Sequence, residues 1–150
     1  MQKKTIADIF VDGARKGWNV GINSILPNLV MAYVLIQVLR VTGLLDLMGQ
    51  IFGPVMGLFG LPGQAIAVLI GAWLSMGGGV GVAASLFASQ VLNPAHVTIL
   101  FPAIFLMGAQ VQYMGRLLGT AGVQSRYYPM LFGICILNAV ISMFIMRFFA

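Results

Sequence analysis

The sequence consists of long apolar stretches that short polar or glycine-rich segments interrupt. Two stretches, residues 20–40 and 127–149, have the length of about 20 residues that a helix needs to cross the hydrocarbon core of a membrane. A third stretch, residues 95–119, is also long enough but contains an interruption that begins at Gly108. The pattern therefore predicts an all-α membrane protein with about three transmembrane helices.

The first residues have a polar side and an apolar side. In residues 1–18, charged positions such as Asp8 and Lys16 share one arc of a helical wheel, and Ile9 and Phe10 occupy the opposite arc. This pattern predicts an amphipathic helix that lies at the membrane interface and leads into the first span.

Residues 44–59 form a short apolar segment that Gly53-Pro54 breaks. The segment is too short and too broken for a span, so we expect a second interfacial helix. Asp46 falls in its first turn, where a carboxylate complements the helix dipole. A capping role therefore explains Asp46 better than a catalytic one.

Residues 61–92 have two apolar halves on either side of a cluster, Ser75 to Gly81, that contains four glycines. We expect this cluster to unwind rather than to continue a helix. Each half has about 13 residues, or ~20 Å of helix, which is too little to cross a membrane. The segment is therefore either a re-entrant helical hairpin with a glycine-rich tip or one long broken helix.

The composition indicates that lipid is the main solvent of the chain. Hydrophobic residues make up 60% of the sequence and charged residues 7%, whereas a soluble domain carries about 25% charged residues. Acid–base catalysis needs positioned titratable groups, and the expected membrane interior offers only His96 and the thiol of Cys135. We therefore expect no enzyme. We also expect no metal and no cofactor, because His96 has no second ligand at metal-binding spacing.

The net charge of +5 is more typical here of a topology signal than of nucleic-acid binding, because no basic run with interleaved aromatic residues is present. If residues 61–92 return to the side from which they enter, one side of the membrane holds Lys3, Lys4, Arg15, Lys16, Arg116 and Arg126. Only Arg40 and Arg147 then lie on the other side. The positive-inside rule therefore favours the hairpin, with the amino terminus in the cytoplasm.

The interrupted segments are the candidate site for a solute, because transporters bind ligands at the free backbone groups of broken helices. The candidate residues are Ser75, Gly77, Gly78 and Gly79 at the tip, Gln110 and Gln112 at the second interruption, and Asn23 in the polar half of the first span. Such a site suits a neutral, hydrogen-bonding solute. The alternative is that the glycines permit close helix packing and that the asparagine bonds a neighbouring helix.

Three motifs, taken in order, resemble the opening of the nucleoside-recognition, or Gate, domain. They are Phe10-x-x-Gly13-Ala14-x-x-Gly17, Leu26-Pro27-x-Leu29-Val30 and Thr42-Gly43-x-Leu45-Asp46. The chain is thus similar to a family that includes spore maturation protein B and small YjiG-type bacterial inner-membrane proteins, over about residues 10–119. This resemblance implies a half-unit related to concentrative nucleoside transporters, a single Gate-like domain over residues 1–150, and a second Gate-domain partner similar to spore maturation protein A.

The chain departs from the family's pattern at both interruptions. Ala72-Trp73 stands where relatives tend to have Arg-Pro before the tip serine. Gly108-Ala109-Gln110-Val111-Gln112 stands where they tend to have a stretch like Ser/Thr-Glu-Thr. The charged groups that the family would supply are therefore replaced by apolar side chains, glycines and amides.

Two hypotheses of function follow. The first is a subunit of a bacterial inner-membrane transporter or permease for a small neutral or nucleoside-like solute. Because three spans and one hairpin are too few to enclose a solute, this hypothesis requires a homo-oligomer or a second Gate-domain subunit. The alternative is a structural or interaction subunit of a membrane complex that moves no solute itself.

Overall fold

The computed structural model describes residues 5–150, so Lys3 and Lys4 of the predicted cytoplasmic charge cluster lie outside the described residues. The helices are α1 (Ile6–Val20), α2 (Leu26–Val41), α3 (Leu44–Gly57), α4 (Ile66–Leu74), α5 (Met76–Ala88), α6 (Pro94–Met107), α7 (Gln110–Tyr113) and α8 (Tyr128–Arg147). Short π turns at Gly21–Ile25 and Met114–Leu118 and 3-10 turns at Gly63–Ala65 and Ser125–Tyr127 complete the regular structure of the described residues.

Three helical stretches are long and apolar enough to cross a membrane, namely Ile6–Val41, Pro94–Tyr113 and Ser125–Arg147. No strand occurs between residues 5 and 150. The predicted fold class, an all-α membrane protein with about three transmembrane helices, is therefore confirmed.

The predicted interfacial helix and the predicted first span are continuous in the structure, as one helix of 36 residues. It starts with a capping box: the Thr5 hydroxyl accepts from the Asp8 N–H at 3.2 Å, and the Asp8 carboxylate accepts from the Thr5 N–H at 2.9 Å. A π turn at Gly21–Ile25 replaces the expected boundary. Pro27 follows it, and because proline has no N–H the helix loses a regular bond there. Among the described residues of α1, none is buried.

Helix α3 has its carboxylate in the first turn, as the sequence predicts, with Asp46 following a left-handed Gly43 (φ 74°). Its middle is held by a close main-chain approach, because a Cβ on Gly63 would fall onto the carbonyl oxygen of Gly49. Its carboxyl end meets the end of α8, where the Arg147 guanidinium donates to the Leu58 carbonyl oxygen. The ends of α3 and α8 therefore lie at the same end of the bundle.

Helices α4 and α5 fold back on each other as a hairpin. A Cβ on Gly71 would lie 3.2 Å from a methyl group of Val82, although the two residues would be ~16 Å apart along one continuous helix. A Cβ on Gly79 would likewise lie 2.7 Å from the Cβ of Ala72. The contacts therefore show that α4 and α5 form a helical hairpin and not one continuous helix.

The hairpin turn is tighter than the sequence suggests. The predicted interruption lies within the cluster but is confined to Ser75, and the expectation that the glycines themselves unwind is wrong. Only Ser75 is extended (φ −161°, ψ 134°), and α5 begins at Met76, so Gly77, Gly78 and Gly79 are helical. Ser75 makes this possible as a helix cap, because its hydroxyl accepts from the Gly78 N–H at 3.2 Å and its carbonyl accepts from the Gly79 N–H at 2.9 Å.

Helix α6 is the centre of the bundle. The candidate span that contains it, Pro94–Tyr113, is 44% buried over its most apolar part, against 11% for the two other candidate spans. Leu100 and Ala103 of α6 are fully covered, and α8 packs beside them through Ala139 and Met143. On the other side of the hairpin, α2 contacts α5 where a Cβ on Gly81 would meet the Cβ of Ala32 at 2.7 Å. The remaining faces of α2 and α8 are apolar and exposed, as expected for surfaces that meet lipid.

The contact between Gly49 and Gly63 predicts opposite effects of the same substitution at two glycines. Gly63→Ala places a methyl group on a backbone oxygen, so we expect a loss of at least about 2 kcal/mol in the free energy of unfolding. Gly133→Ala, in the middle of α8 with nothing within 4 Å of the added Cβ, should stabilise by up to about 1 kcal/mol, because alanine is the better helix former.

Thermal unfolding of the detergent-solubilised variants measures both changes. A Gly63→Ala variant as stable as the wild type would show that the turn before α4 does not pack on α3 in this way.

Candidate functional site

The helix that follows the hairpin is interrupted at two residues, Gly108 and Ala109. α6 ends at Met107, Gly108 takes an extended ψ of 119°, and Ala109 is left-handed with φ 55°. A left-handed alanine costs about 1–2 kcal/mol relative to a right-handed one, so the surrounding structure must hold it. The Ala109 N–H donates to the Ala72 carbonyl oxygen at 2.7 Å. That bond fixes the interruption against the last turn of α4.

The two interruptions therefore lie against each other. A Cβ on Gly108 would be 3.2 Å from the Cβ of Met76, the first residue of α5. Ala72, which accepts the bond from Ala109, has 0% exposure. We call this contact between the hairpin turn at Ser75 and the chain at Gly108 and Ala109 the crossing.

The crossing presents both donors and acceptors of hydrogen bonds from the main chain. At the amino terminus of α5, the N–H groups of Met76 and Gly77 have no acceptor within the helix, and at the carboxyl terminus of α4 the last carbonyl groups have no donor within it. The helix dipoles give these two ends opposite partial charges. No residue of the hairpin turn or of the second interruption carries a charge. The arrangement suits a neutral molecule that both donates and accepts hydrogen bonds.

The predicted tip residues divide into two groups. Gly78 and Gly79 are buried against α4, since Cβ atoms there would lie 3.1 Å from the Gly71 carbonyl oxygen and 2.8 Å from the Ala72 Cα. Their role is close packing. Ser75 and Gly77 are half-buried and remain at the surface of the crossing.

Asn28 is a polar neighbour of the tip that the sequence-based site omits. A Cβ on Gly77 would lie 3.5 Å from the Asn28 Cβ, and the Asn28 amide donates to the Ser24 carbonyl oxygen at 2.8 Å. The predicted Asn23 is instead exposed within the π turn. That turn changes the angular position of the residues before Pro27, so a regular helical wheel does not identify which asparagine faces α5.

The two glutamines at the second interruption lie on different faces. Gln110 is 7% exposed, whereas Gln112, two residues and about 200° around the helix, is exposed. The Gln110 amide donates to the Leu106 carbonyl oxygen at 2.9 Å, and its side-chain oxygen Oε1 is buried with no donor. The side chain lines a cavity against α8 rather than the hairpin turn. The structure thus brings Ser75 and Gly77 to the crossing and leaves Gln112 and Asn23 outside it.

No metal ligands gather in the described part of the chain, since no group of three or more His, Cys, Asp or Glu side chains is found there. His96 belongs to a second capping box: its N–H donates to the Asn93 side-chain oxygen at 2.8 Å, and its Nδ1 accepts from the Asn93 N–H at 3.3 Å. Its position at the start of α6 gives His96 a role in capping that helix.

Known proteins provide an independent comparison. Residues 22–121 match the family profile described as Gate, nucleoside recognition. The chain is 51% identical over 145 residues to the inner membrane protein YjiG of Escherichia coli, and the match covers 97% of this chain and 95% of that protein. It is also 26% identical over 143 residues to an uncharacterized protein of Methanocaldococcus jannaschii, of which it covers 44%. No solved structure matches significantly.

The matched region includes both interruptions and the whole hairpin, whose turn is the first of them. The resemblance seen in the ordered motifs at the start of the sequence is therefore confirmed. This chain belongs to the Gate, or nucleoside-recognition, family of membrane proteins.

Proposed function

We propose that the chain is a subunit of a bacterial inner-membrane transporter or permease for a small neutral or nucleoside-like solute. The observation that carries this proposal is the bond of 2.7 Å between Ala109 and Ala72, which joins two interrupted helices at their interruptions. Broken helices that meet inside a membrane protein are the arrangement by which many transporters present main-chain groups to a solute. The role is not enzymatic.

The comparisons support the location and the type of solute. The related Escherichia coli protein is named as an inner membrane protein, and the family is described by nucleoside recognition. Because the crossing has no charged side chain, the proposed solute is neutral and is held by main-chain groups together with Ser75 and Asn28.

The chain is proposed to act in an oligomer, either with copies of itself or with a second Gate-domain subunit. Free main-chain groups at membrane depth must be covered by protein or line a water-filled cavity. Ser75 and Gly77 are only half-buried, so the chain by itself leaves the crossing open on one side. A second subunit at that side would close the site.

The alternative is a structural or interaction subunit that moves no solute. One observation favours it: several polar groups at the crossing already have partners within the chain. The Ser75 hydroxyl accepts from Gly78 and the Ala72 carbonyl accepts from Ala109. In this alternative the crossing only stabilises the fold and the partner interface.

The folded-back hairpin supports the proposed orientation with the amino terminus in the cytoplasm. If the hairpin returns to the side from which it enters, only the helical stretch Pro94–Tyr113 crosses the membrane between Thr42 and Ser125. Arg116 and Arg126 then lie on the side of the amino terminus, and Arg40 and Arg147 lie on the other.

A topology experiment tests this orientation. In a Cys135→Ala background, we expect Thr42→Cys to react with a membrane-impermeant maleimide in intact spheroplasts and Ser125→Cys to react only after permeabilisation. Both positions are exposed in the structure, so accessibility depends on the side of the membrane. Labelling of both from outside would mean that residues 61–92 cross the membrane.

Substitution of Gly77 tests the proposed solute site. Gly77→Ala adds a methyl group at an ordinary contact distance of 3.5 Å from Asn28, so the protein should fold normally with less room at the tip. We expect uptake to fall by about 10-fold or more, the effect of one misplaced methyl group in a fitted site. Uptake is measured in proteoliposomes, with and without a co-purified Gate-domain partner, using radiolabelled uridine, adenosine and uracil.

Gly133→Ala is the matched control, because its added methyl group meets nothing within 4 Å. Saturable uptake that Gly77→Ala leaves unchanged contradicts the proposed site. A bound solute at 100 times its Kd should stabilise the protein by about 2.7 kcal/mol, so binding is also detected as a rise in the melting temperature. The structural alternative is favoured if none of the solutes is taken up, none raises the melting temperature, and Gly77→Ala abolishes partner co-purification.

A further inference from the structure

One polar side chain lies on the exposed face of α8 at membrane depth. Asn138 is exposed and lies near the middle of the candidate span Ser125–Arg147, about 14 Å of helix away from Arg147. An asparagine side chain is too short to reach the membrane interface over that distance. Because hydrocarbon offers its amide no water, a hydrogen-bond partner must come from protein.

The described part of the chain does not supply that partner. Other amides in the apolar helices donate to the carbonyl oxygen one turn earlier, Asn28 to Ser24 at 2.8 Å and Gln110 to Leu106 at 2.9 Å. The side chain of Asn138 makes no hydrogen bond to any described residue. Its two N–H donors and its carbonyl acceptor are therefore free to bind a second molecule.

Three isoleucines lie on the same stripe of α8 as this amide. We call the exposed stripe Ile134, Asn138, Ile141 and Ile145 the asparagine seam. Its spacing of 4, 3 and 4 residues is the heptad spacing by which two parallel helices pack along one line, and on a helical wheel the four positions fall within about 60°. Helix α8 packs on α6 through a different face, which carries the buried Ala139.

The chemistry of the seam matches a second copy of the same chain. All copies insert into the membrane with one orientation, so a two-fold axis along the membrane normal brings each residue of α8 to the depth of its counterpart. The Asn138 amide is complementary to itself, because Nδ2 of one copy donates to Oδ1 of the other. A lipid chain has no such group. A single asparagine in an apolar heptad seam also fixes the register of the two helices.

We propose that two copies of this chain associate through parallel α8 helices, with the asparagine seams in contact and the two Asn138 amides hydrogen-bonded to each other. Association in lipid is driven by packing and by interhelical hydrogen bonds, and the seam supplies both. No residue of the seam belongs to the crossing, so the proposal does not depend on the proposed function.

Cysteine cross-linking in membranes tests which face of α8 is used. In a Cys135→Ala background, Ile134→Cys and Ile141→Cys place single thiols on the seam, and Leu137→Cys and Phe144→Cys place them on another exposed part of α8. The membranes are oxidised with iodine, which enters the lipid phase. We expect disulfide-linked dimers from the two seam positions and monomers from the two controls, because the two-fold axis brings only the seam close to its own copy.

Substitution of the asparagine tests the polar contact. The Kd of association in phosphatidylcholine liposomes is measured by energy transfer between copies labelled at Ser125→Cys, an exposed position, in the Cys135→Ala background. Asn138→Leu keeps the size but removes the amide, so we expect the Kd to rise about 3- to 10-fold, the worth of one interhelical hydrogen bond in a membrane. Asn138→Gln should retain most of the affinity. Gln37→Leu removes an exposed amide from α2 and should leave the Kd unchanged.

A labelled parent protein that stays monomeric at high protein-to-lipid ratios overturns the proposal, and this measurement does not depend on the folding of any seam variant. Equal cross-linking from Leu137→Cys and Ile141→Cys also overturns it, because it means that the helices collide without a preferred face. Cross-linking of the seam only to a different protein, or an Asn138→Leu variant that associates as tightly as its parent, likewise contradicts it. None of these measurements involves solute uptake, so their failure leaves the proposed function standing.

Discussion

The main-chain hydrogen bond from Ala109 to Ala72 joins two helices at the points where each is interrupted. An interrupted helix in a membrane exposes backbone groups that lipid cannot satisfy. Here each interruption supplies a hydrogen-bond partner to the other, because the N–H of the left-handed Ala109 donates to the Ala72 carbonyl in the last turn of α4. The positions of α6, α7 and the hairpin relative to one another follow from this contact.

Glycines allow close backbone approach at several other contacts between the helices. Gly79 lies on Ala72 inside the hairpin, Gly81 lies on Ala32 of α2, and Gly63 lies on Gly49 of α3. In lipid, where the hydrophobic effect does not drive helices together, close approach of this kind is a main source of helix association. The scarcity of charge has a related consequence for the proposed function, in which the crossing offers a solute only main-chain groups, one serine and one amide.

The sequence predicts the broad architecture well, and its errors have physical reasons. The length of the apolar stretches predicts the spanning helices. The sequence predicts an interruption within the glycine cluster, and the structure confines it to Ser75, because chain reversal needs only one extended residue when Ser75 caps the next helix. Helical periodicity alone places Gln110 and Gln112 on different faces of the helix, so it predicts that they do not form one site. Which of Asn23 and Asn28 lies beside the hairpin turn depends on a π turn, which the local sequence pattern does not predict. The contact between Gly49 and Gly63 joins two residues distant in sequence, so the local pattern does not predict it either.

The two interruptions are in contact, and a disulfide between them tests this contact most directly. With Cys135 replaced by alanine, cysteines at Met76 and Gly108 have Cβ positions 3.2 Å apart, close to the 3.5–4.5 Å that a disulfide requires. We expect mild oxidation to cross-link this pair in membranes, and a pair at Gly108 and Ala88, about 18 Å further along α5, to remain reduced. A Met76 and Gly108 pair that stays reduced while the pair with Ala88 cross-links would contradict the crossing.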